Sequence, residues 1–168
     1  MKKLFLCAAV AVFAFTSVNA QSFGAKAGID LASSKVKSDG FSVTASETGF
    51  YVGVFGQFEV SDAFTFQPEI MYVIISDGGE IHIPLMANFS VSEDFSVLAG
   101  PALGILTEST EGLSSFNYGI EAGAAYNISE EFLVEARYSL GLANLVEDAP
   151  SGVSANLSGF YIGVGYRF

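Results

Sequence analysis

Tryptophan is absent from the chain and cysteine occurs once, at Cys7, so no internal disulfide can form. Basic residues are scarce: seven Lys and Arg stand against eighteen Asp and Glu, a net charge of −11. That balance excludes a nucleic-acid binder, whose phosphate contacts need Lys and Arg, and it argues against electrostatic attraction to anionic head groups. Also missing is any internal run of ~20 apolar residues, the length a membrane-spanning helix needs. Yet 51% of the residues are hydrophobic and the mean hydropathy is +0.46. High hydrophobicity without long runs means that apolar residues alternate with something else.

The N-terminus contributes a small part of the excess. Lys2 and Lys3 precede an apolar segment from Leu4 to Phe15, and Val18-Asn19-Ala20 ends it with small residues. This is the pattern of a secretory signal peptide, so residues 1–20 are expected to be removed and residues 21–168 to form one domain. Cys7 lies too early, inside the apolar segment, to serve as a lipoprotein cysteine. Removal of Cys7, Lys2 and Lys3 leaves five basic residues against eighteen acidic ones, a net charge of −13.

Three stretches repeat one pattern: Val60-Ser61-Asp62-Ala63-Phe64, Val91-Ser92-Glu93-Asp94-Phe95 and Ile128-Ser129-Glu130-Glu131-Phe132. Ser and Asp favour tight turns because their side chains bond nearby backbone groups. Each copy is flanked by segments alternating in polarity, the period of a strand. Longer connections, rich in Ser, Gly, Asp and Glu, run over 35–47, 75–79, 107–115 and 144–157. Eight strands follow, near 22–34, 48–60, 64–74, 80–91, 95–106, 116–128, 132–143 and 158–168. Short turns alternating with longer loops are the mark of an outer-membrane barrel, short turns in the periplasm and long loops outside. An even strand number places both termini with the short turns.

The two faces of these strands differ. One face of the third reads Phe64, Phe66, Pro68, Ile70, Tyr72, Ile74, and the other Thr65, Gln67, Glu69, Met71, Val73. The last strand sets Phe160, Ile162, Val164, Tyr166 and Phe168 against Tyr161, Gly163, Gly165 and Arg167. An eight-stranded barrel has an interior just wide enough for packed side chains or one small ligand. The bulky set therefore points outward, toward lipid. The expected fold is all-β: an eight-stranded antiparallel up-and-down transmembrane β-barrel. Aromatic girdles are expected from Phe58, Phe64, Phe95, Tyr126, Phe132, Tyr166 and Phe168 near the short turns. Phe50, Tyr72, Tyr118, Tyr138 and Phe160 supply the second girdle, toward the loops.

Five stretches add a resemblance: 67–72 (QPEIMY), 81–85 (IHIPL), 99–104 (AGPALG), 136–142 (ARYSLGL) and 163–168 (GVGYRF). In this order they resemble the PorT-like, "porin family" outer membrane β-barrel domain of Bacteroidota-type bacteria, over nearly all of residues 21–168. The resemblance implies an outer-membrane location and no single activity. The loops are short for a secretion component.

Candidate sites follow from the inward face. Lys26, Arg137 and Arg167 face Asp30, Glu59, Glu69, Glu121 and Glu135. Buried charge is tolerated when paired and hydrogen-bonded, so these residues are expected to form an ion network closing the lumen, with Arg137 bridging Glu121 and Glu135. A carboxylate-lined pore is the alternative. His82, the only histidine, shares its inward face with Glu80, but no motif marks a nucleophile beside it, as a catalytic base would need. One His and scattered carboxylates lack metal-ligand spacing. No catalytic residue, cofactor or metal is therefore expected.

Pro68, Pro84 and Pro101 interrupt three consecutive strands and call for bulges or missing ladder bonds. The loop acids Asp39, Glu47, Asp77, Glu108, Glu111, Glu147 and Asp148 follow no calcium-loop pattern. Expected partners are outer-membrane lipid and, during biogenesis, the barrel assembly machinery; the barrel is expected to be a monomer, its surface ligand unknown. A non-enzymatic envelope or surface role is expected first. A narrow pore or secretion accessory comes second, and a lipid-modifying enzyme third.

Overall fold

A computed structural model describes residues 21–38, 41–76, 78–108, 112–146 and 152–168. The expected signal peptide and the loop acids Asp39, Asp77, Glu111, Glu147 and Asp148 lie outside the described residues. The strands are β1 (Gln21–Ser38), β2 (Phe41–Ser61), β3 (Phe64–Ile75), β4 (Gly78–Ser90), β5 (Phe95–Leu106), β6 (Phe116–Asn127), β7 (Phe132–Gly141) and β8 (Ser154–Arg167). Each pairs antiparallel with its sequence neighbour, and β8 pairs with β1 to close the barrel.

The repeated motif does make the tight turns. Val91 and Ser92 both donate their backbone N–H to Phe95 O, and Ile128 and Ser129 do the same to Phe132 O. Ser92 Oγ and Ser129 Oγ accept from the N–H of Phe95 and Phe132, each at 3.1 Å, so the serine closes each turn from within. The first copy is tighter. Ser61 pairs directly with Phe64, after a register shift between Glu59 and Ser61.

The period-2 pattern sorts side chains as the sequence implies. Val52, Val54, Ile70, Ile120, Tyr138 and Val164 are exposed on the outer wall, whereas Tyr51, Phe55, Met71, Met86, Leu98 and Tyr161 are buried in the lumen. Phe58 and Phe64 are half-buried; the other proposed girdle aromatics are exposed and outward, among them Phe50, Tyr72, Phe95, Tyr118, Tyr126, Phe132, Phe160, Tyr166 and Phe168. Aromatic contacts tie the short-turn row together: Phe132 lies 5.0 Å from Tyr166, which lies 5.8 Å from Phe168. Phe23 and Phe89 join this row, at 6.1 Å from Phe58 and 5.2 Å from Phe64.

One expectation changes, and another is resolved. Residues 35–38 and 41–47 are strand rather than loop: β1 and β2 pair continuously out to Ser38↔Phe41, and β8 joins them out to Lys37↔Ser154. β3 meets β2 only from Phe50↔Ile74 onward, so a three-stranded sheet projects past the barrel rim. Both faces of the β2 part of this projection are wet, so no hydrophobic alternation marks it as strand, and backbone pairing alone extends it. At the prolines, of the two expected alternatives the missing ladder bonds occur and the bulges do not. Register is unbroken through all three, and a pair is missing where each ring removes a donor. Pro68 has no partner in β2, Pro84 none in β3 and Pro101 none in β4, although each pairs on its other side. Side chains beyond them keep their facing.

Candidate functional site: the polar lumen

Glycines make room for the lumen's largest groups. A Cβ at Gly163 or Gly28 would run into the Tyr51 ring, and one at Gly123 into Arg137. Small residues on β1, β6 and β8 thus leave space beside neighbouring strands for the long side chains of β2 and β7, as a packed eight-stranded barrel requires.

The centre of the lumen is ionic. Arg137 Nη1 lies 3.0 Å from Glu69 Oε2 and 3.4 Å from Glu121 Oε2, and Nη2 lies 3.3 Å from Glu135 Oε1. Lys26 Nζ lies 2.8 Å from Glu135 Oε1 and 3.0 Å from Glu69 Oε2. Side chains of all five residues are 0% exposed. The Tyr51 hydroxyl donates to Glu135 at 3.3 Å, and the guanidinium sits 5.9 Å from the centre of the Tyr161 ring. Arg137 touches both Glu121 and Glu135, and it lies closest to Glu69.

Toward the long-loop end the cluster continues through His82. Its Nε2 hydrogen-bonds Glu121, and its Nδ1 lies 3.1 Å from Glu80 Oε1. The ring stacks on Tyr161 at 5.6 Å. An imidazole between two carboxylates serves both only when both nitrogens donate; chemically it is a bridge, with neither nitrogen turned to a nucleophilic hydroxyl. Asp30 is buried nearby, beside a chamber of about 30 Å³ that Glu80, His82 and Asn117 also line. Asp30 Oδ1 and Asn117 Oδ1 have no hydrogen-bond partner among the described residues.

Toward the short-turn end a second branch leaves Glu69. Gln67 donates to Glu69 at 2.7 Å, Gln57 to Gln67 at 2.7 Å, and Arg167 Nε to Gln57 at 2.9 Å. Arg167 also donates to Asn127 Oδ1 and Glu130 O. An unbroken series of polar contacts therefore runs Arg167–Gln57–Gln67–Glu69–Arg137–Glu121–His82–Glu80 along the barrel. Beside it, Met86, Leu98 and Ala125 pack as one apolar cluster, and Tyr51, Met71, Val73 and Tyr161 as another.

Of the eight residues read from the sequence, Lys26, Glu69, Glu121, Glu135 and Arg137 converge directly. Asp30 is buried but lies one layer away. Arg167 bonds amides and a carbonyl rather than acids. Glu59 is exposed and lines a vestibule of about 410 Å³ at the short-turn end, outside the buried cluster. Sequence reasoning left out the structural role of His82 and Glu80. Their inward parity was the available signal; which opposite strand they meet depends on closure and strand tilt.

The geometry is a closed barrel, charged and buried within, apolar without. The sequence agrees: the model of the outer membrane protein beta-barrel domain family matches residues 5–168. The chain belongs to that family. It is thus an outer-membrane barrel whose exposed apolar wall faces lipid. Among solved structures it resembles Ail, the attachment invasion locus protein of Yersinia pestis. Identity is 21% over 88% of this chain and 99% of that one, with a TM-score of 0.51. The backbone structure of Ail in a phospholipid bilayer nanodisc gives 18% identity over 89% and 100%, with a TM-score of 0.52. Neisserial surface protein A, NspA, gives 19% identity over 89% and 98%, with a TM-score of 0.53. At these identities the likeness concerns the fold. No curated protein matches the sequence.

Proposed function

We propose that this barrel works at its ends rather than through its middle: a non-enzymatic envelope protein whose sealed lumen is a structural strut. The observation that carries this reading is the Lys26–Glu69–Glu121–Glu135–Arg137 cluster, wholly buried across the barrel centre. The vestibule at the short-turn end stops before this plug, so it offers an ion no continuous path. In planar bilayers the purified barrel is expected to give no open-channel steps. Reproducible conductance by the intact protein would overturn the reading in favour of a narrow pore.

In this reading the projecting β1–β2–β8 sheet and the longer loops face outside, while the short turns and both chain ends face the periplasm. The surface role rests with that sheet, because among the described residues β2 has no strand partner on its outer edge from Phe41 to Ser46. With Cys7 removed with the leader, Ser42→Cys and Glu93→Cys give single thiols at opposite ends. An impermeant maleimide should label the first in intact cells and the second only after lysis; the reverse pattern would invert the orientation. The PorT-like kinship is supported by the five stretches quoted above. Outer-membrane lipid and the assembly machinery are the proposed partners of a monomeric barrel.

A further inference from the structure

The projecting sheet has two unlike faces. On the face continuous with the lumen, Ser34, Val36 and Ser38 neighbour Ala45, Val43 and Phe41 of β2. On the face continuous with the outer wall, registry sets Ser33 between Ser46 and Ser158, Lys35 between Thr44 and Asn156, and Lys37 between Ser42 and Ser154. These nine positions form a three-by-three grid in which every side chain is a hydroxyl, an amide or an ammonium. Not one is acidic or apolar, in a chain with eighteen acids.

Charge placement sharpens the contrast. Residues 21–168 contain five cations. Lys26 and Arg137 are buried in the lumen and Arg167 bonds Gln57 and Asn127 at its mouth. Lys35 and Lys37 are exposed, on the same side of one strand. The surplus negative charge of the whole chain thus hides a local pair of exposed cations.

We propose that this grid binds the phosphate groups of the lipid headgroups surrounding the long-loop end. Depth is the argument for that occupant. One residue pair below Ser33, the same face reads Thr48, Leu31 and Phe160, and the next row reads Phe50, Ile29 and Ile162. The apolar wall therefore runs up to the grid, with Thr48 the one polar side chain in these two rows. Headgroup regions add roughly 5–7 Å on each side of the hydrocarbon core. Two residues of strand advance ~6.8 Å, less when tilted, so the Ser33 row lies at headgroup depth. The Lys35 stem, one row above, reaches back down toward it, as long cationic side chains do at interfaces, and the Lys37 charge, two rows above, lies within about a Debye length of that surface. Ammonium charge beside clustered hydroxyl donors matches phosphate oxygens, which accept several hydrogen bonds at once. The choice of leaflet rests on the orientation proposed above, which the thiol-labelling experiment tests separately.

The test is native mass spectrometry of the full barrel released from phosphatidylcholine nanodiscs containing a minor fraction of lipid A, a diphosphorylated glycolipid. The wild type should retain lipid A. Lys35→Gln with Lys37→Gln should lower retention roughly 20- to 30-fold, taking the usual contribution of a lysine near a charged membrane surface as about fivefold each. Lys35→Arg with Lys37→Arg should restore it. Folding of each variant is read independently from heat-dependent gel mobility, and both lysines are exposed, outside the packed lumen. Equal retention by the glutamine variant would overturn the proposal. So would inorganic phosphate binding the micelle-solubilised barrel as tightly as lipid A does, since that would make the face a free-anion site.

Discussion

Replacing Arg137 by methionine removes the one group that touches Glu69, Glu121 and Glu135 together. The side-chain volume is nearly kept, so the perturbation is mainly electrostatic. Breaking a buried ion pair by deleting one partner costs about 3–5 kcal/mol, because the partner's charge stays behind without compensation. Here the acids are not wholly abandoned: Lys26 still faces Glu69 and Glu135, and His82 still faces Glu121. The lower end, about 3 kcal/mol, is therefore the expected loss. The assay is reversible urea unfolding of the barrel in lipid vesicles, read by heat-dependent gel mobility.

A second arm isolates the ion term. Glu121→Gln combined with Arg137→Met should recover part of the loss, giving a coupling energy of at least about 1 kcal/mol for groups in direct contact. Raising the salt concentration should leave the wild type nearly unchanged, because buried pairs are screened far less than exposed ones. A methionine variant within about 0.5 kcal/mol of the wild type, the range of ordinary surface substitutions, would refute the reasoning. The lumen would then be held by its apolar packing alone.

Asp30→Asn should leave stability unchanged or raise it: the lumen already carries Glu69, Glu80, Glu121 and Glu135, and Asp30 Oδ1 has no hydrogen-bond partner among the described residues. The same unfolding assay would count a clear loss against this view. On the lipid side, Ile120→Arg, outward at the middle of β6, should cost about 2–4 kcal/mol, whereas Val91→Arg at a short turn should cost about 0–1 kcal/mol. Equal effects at the two depths would contradict a lipid-facing wall. Gly163→Leu would drive a side chain into Tyr51, so it should cost about 1–3 kcal/mol or more by overpacking, read as a lower urea midpoint.

How much of this was legible beforehand depends on which physical signal each part left in the chain. The wall was legible because alternation is local: Phe64 to Ile74 states its own facing without reference to any other strand. The turns were legible because Ser92 and Ser129 close them with their own side chains. The projecting sheet was not, since its β2 part is exposed on both faces and shows no alternation, and backbone pairing carries it out to Ser38 and Phe41. Within the lumen, parity placed Lys26 and Glu135 inward. Their 2.8 Å contact joins strands 109 residues apart and follows from closure of β8 onto β1. Glu59 shows the converse limit, since right parity at the rim of the barrel yields a wet carboxylate.

The prolines connect the two halves of the argument. Each removes one ladder donor on the side of the preceding strand, and the vacant positions step across β2–β3, β3–β4 and β4–β5 in turn. Pro68 pairs with Leu85, next to Pro84, and Pro84 pairs with Ala102, next to Pro101, so the gaps form one diagonal seam. Such a seam weakens backbone cohesion where a barrel in lipid cannot replace lost bonds with water. Glu69, on the β3 side of the central gap, is held by Lys26, Arg137 and Gln67, and so ties β3 to β1 and β7 across the interior. The buried ion cluster thus cross-braces the wall where the ladder is thinnest. That gives the sealed lumen a structural reason that owes nothing to conduction.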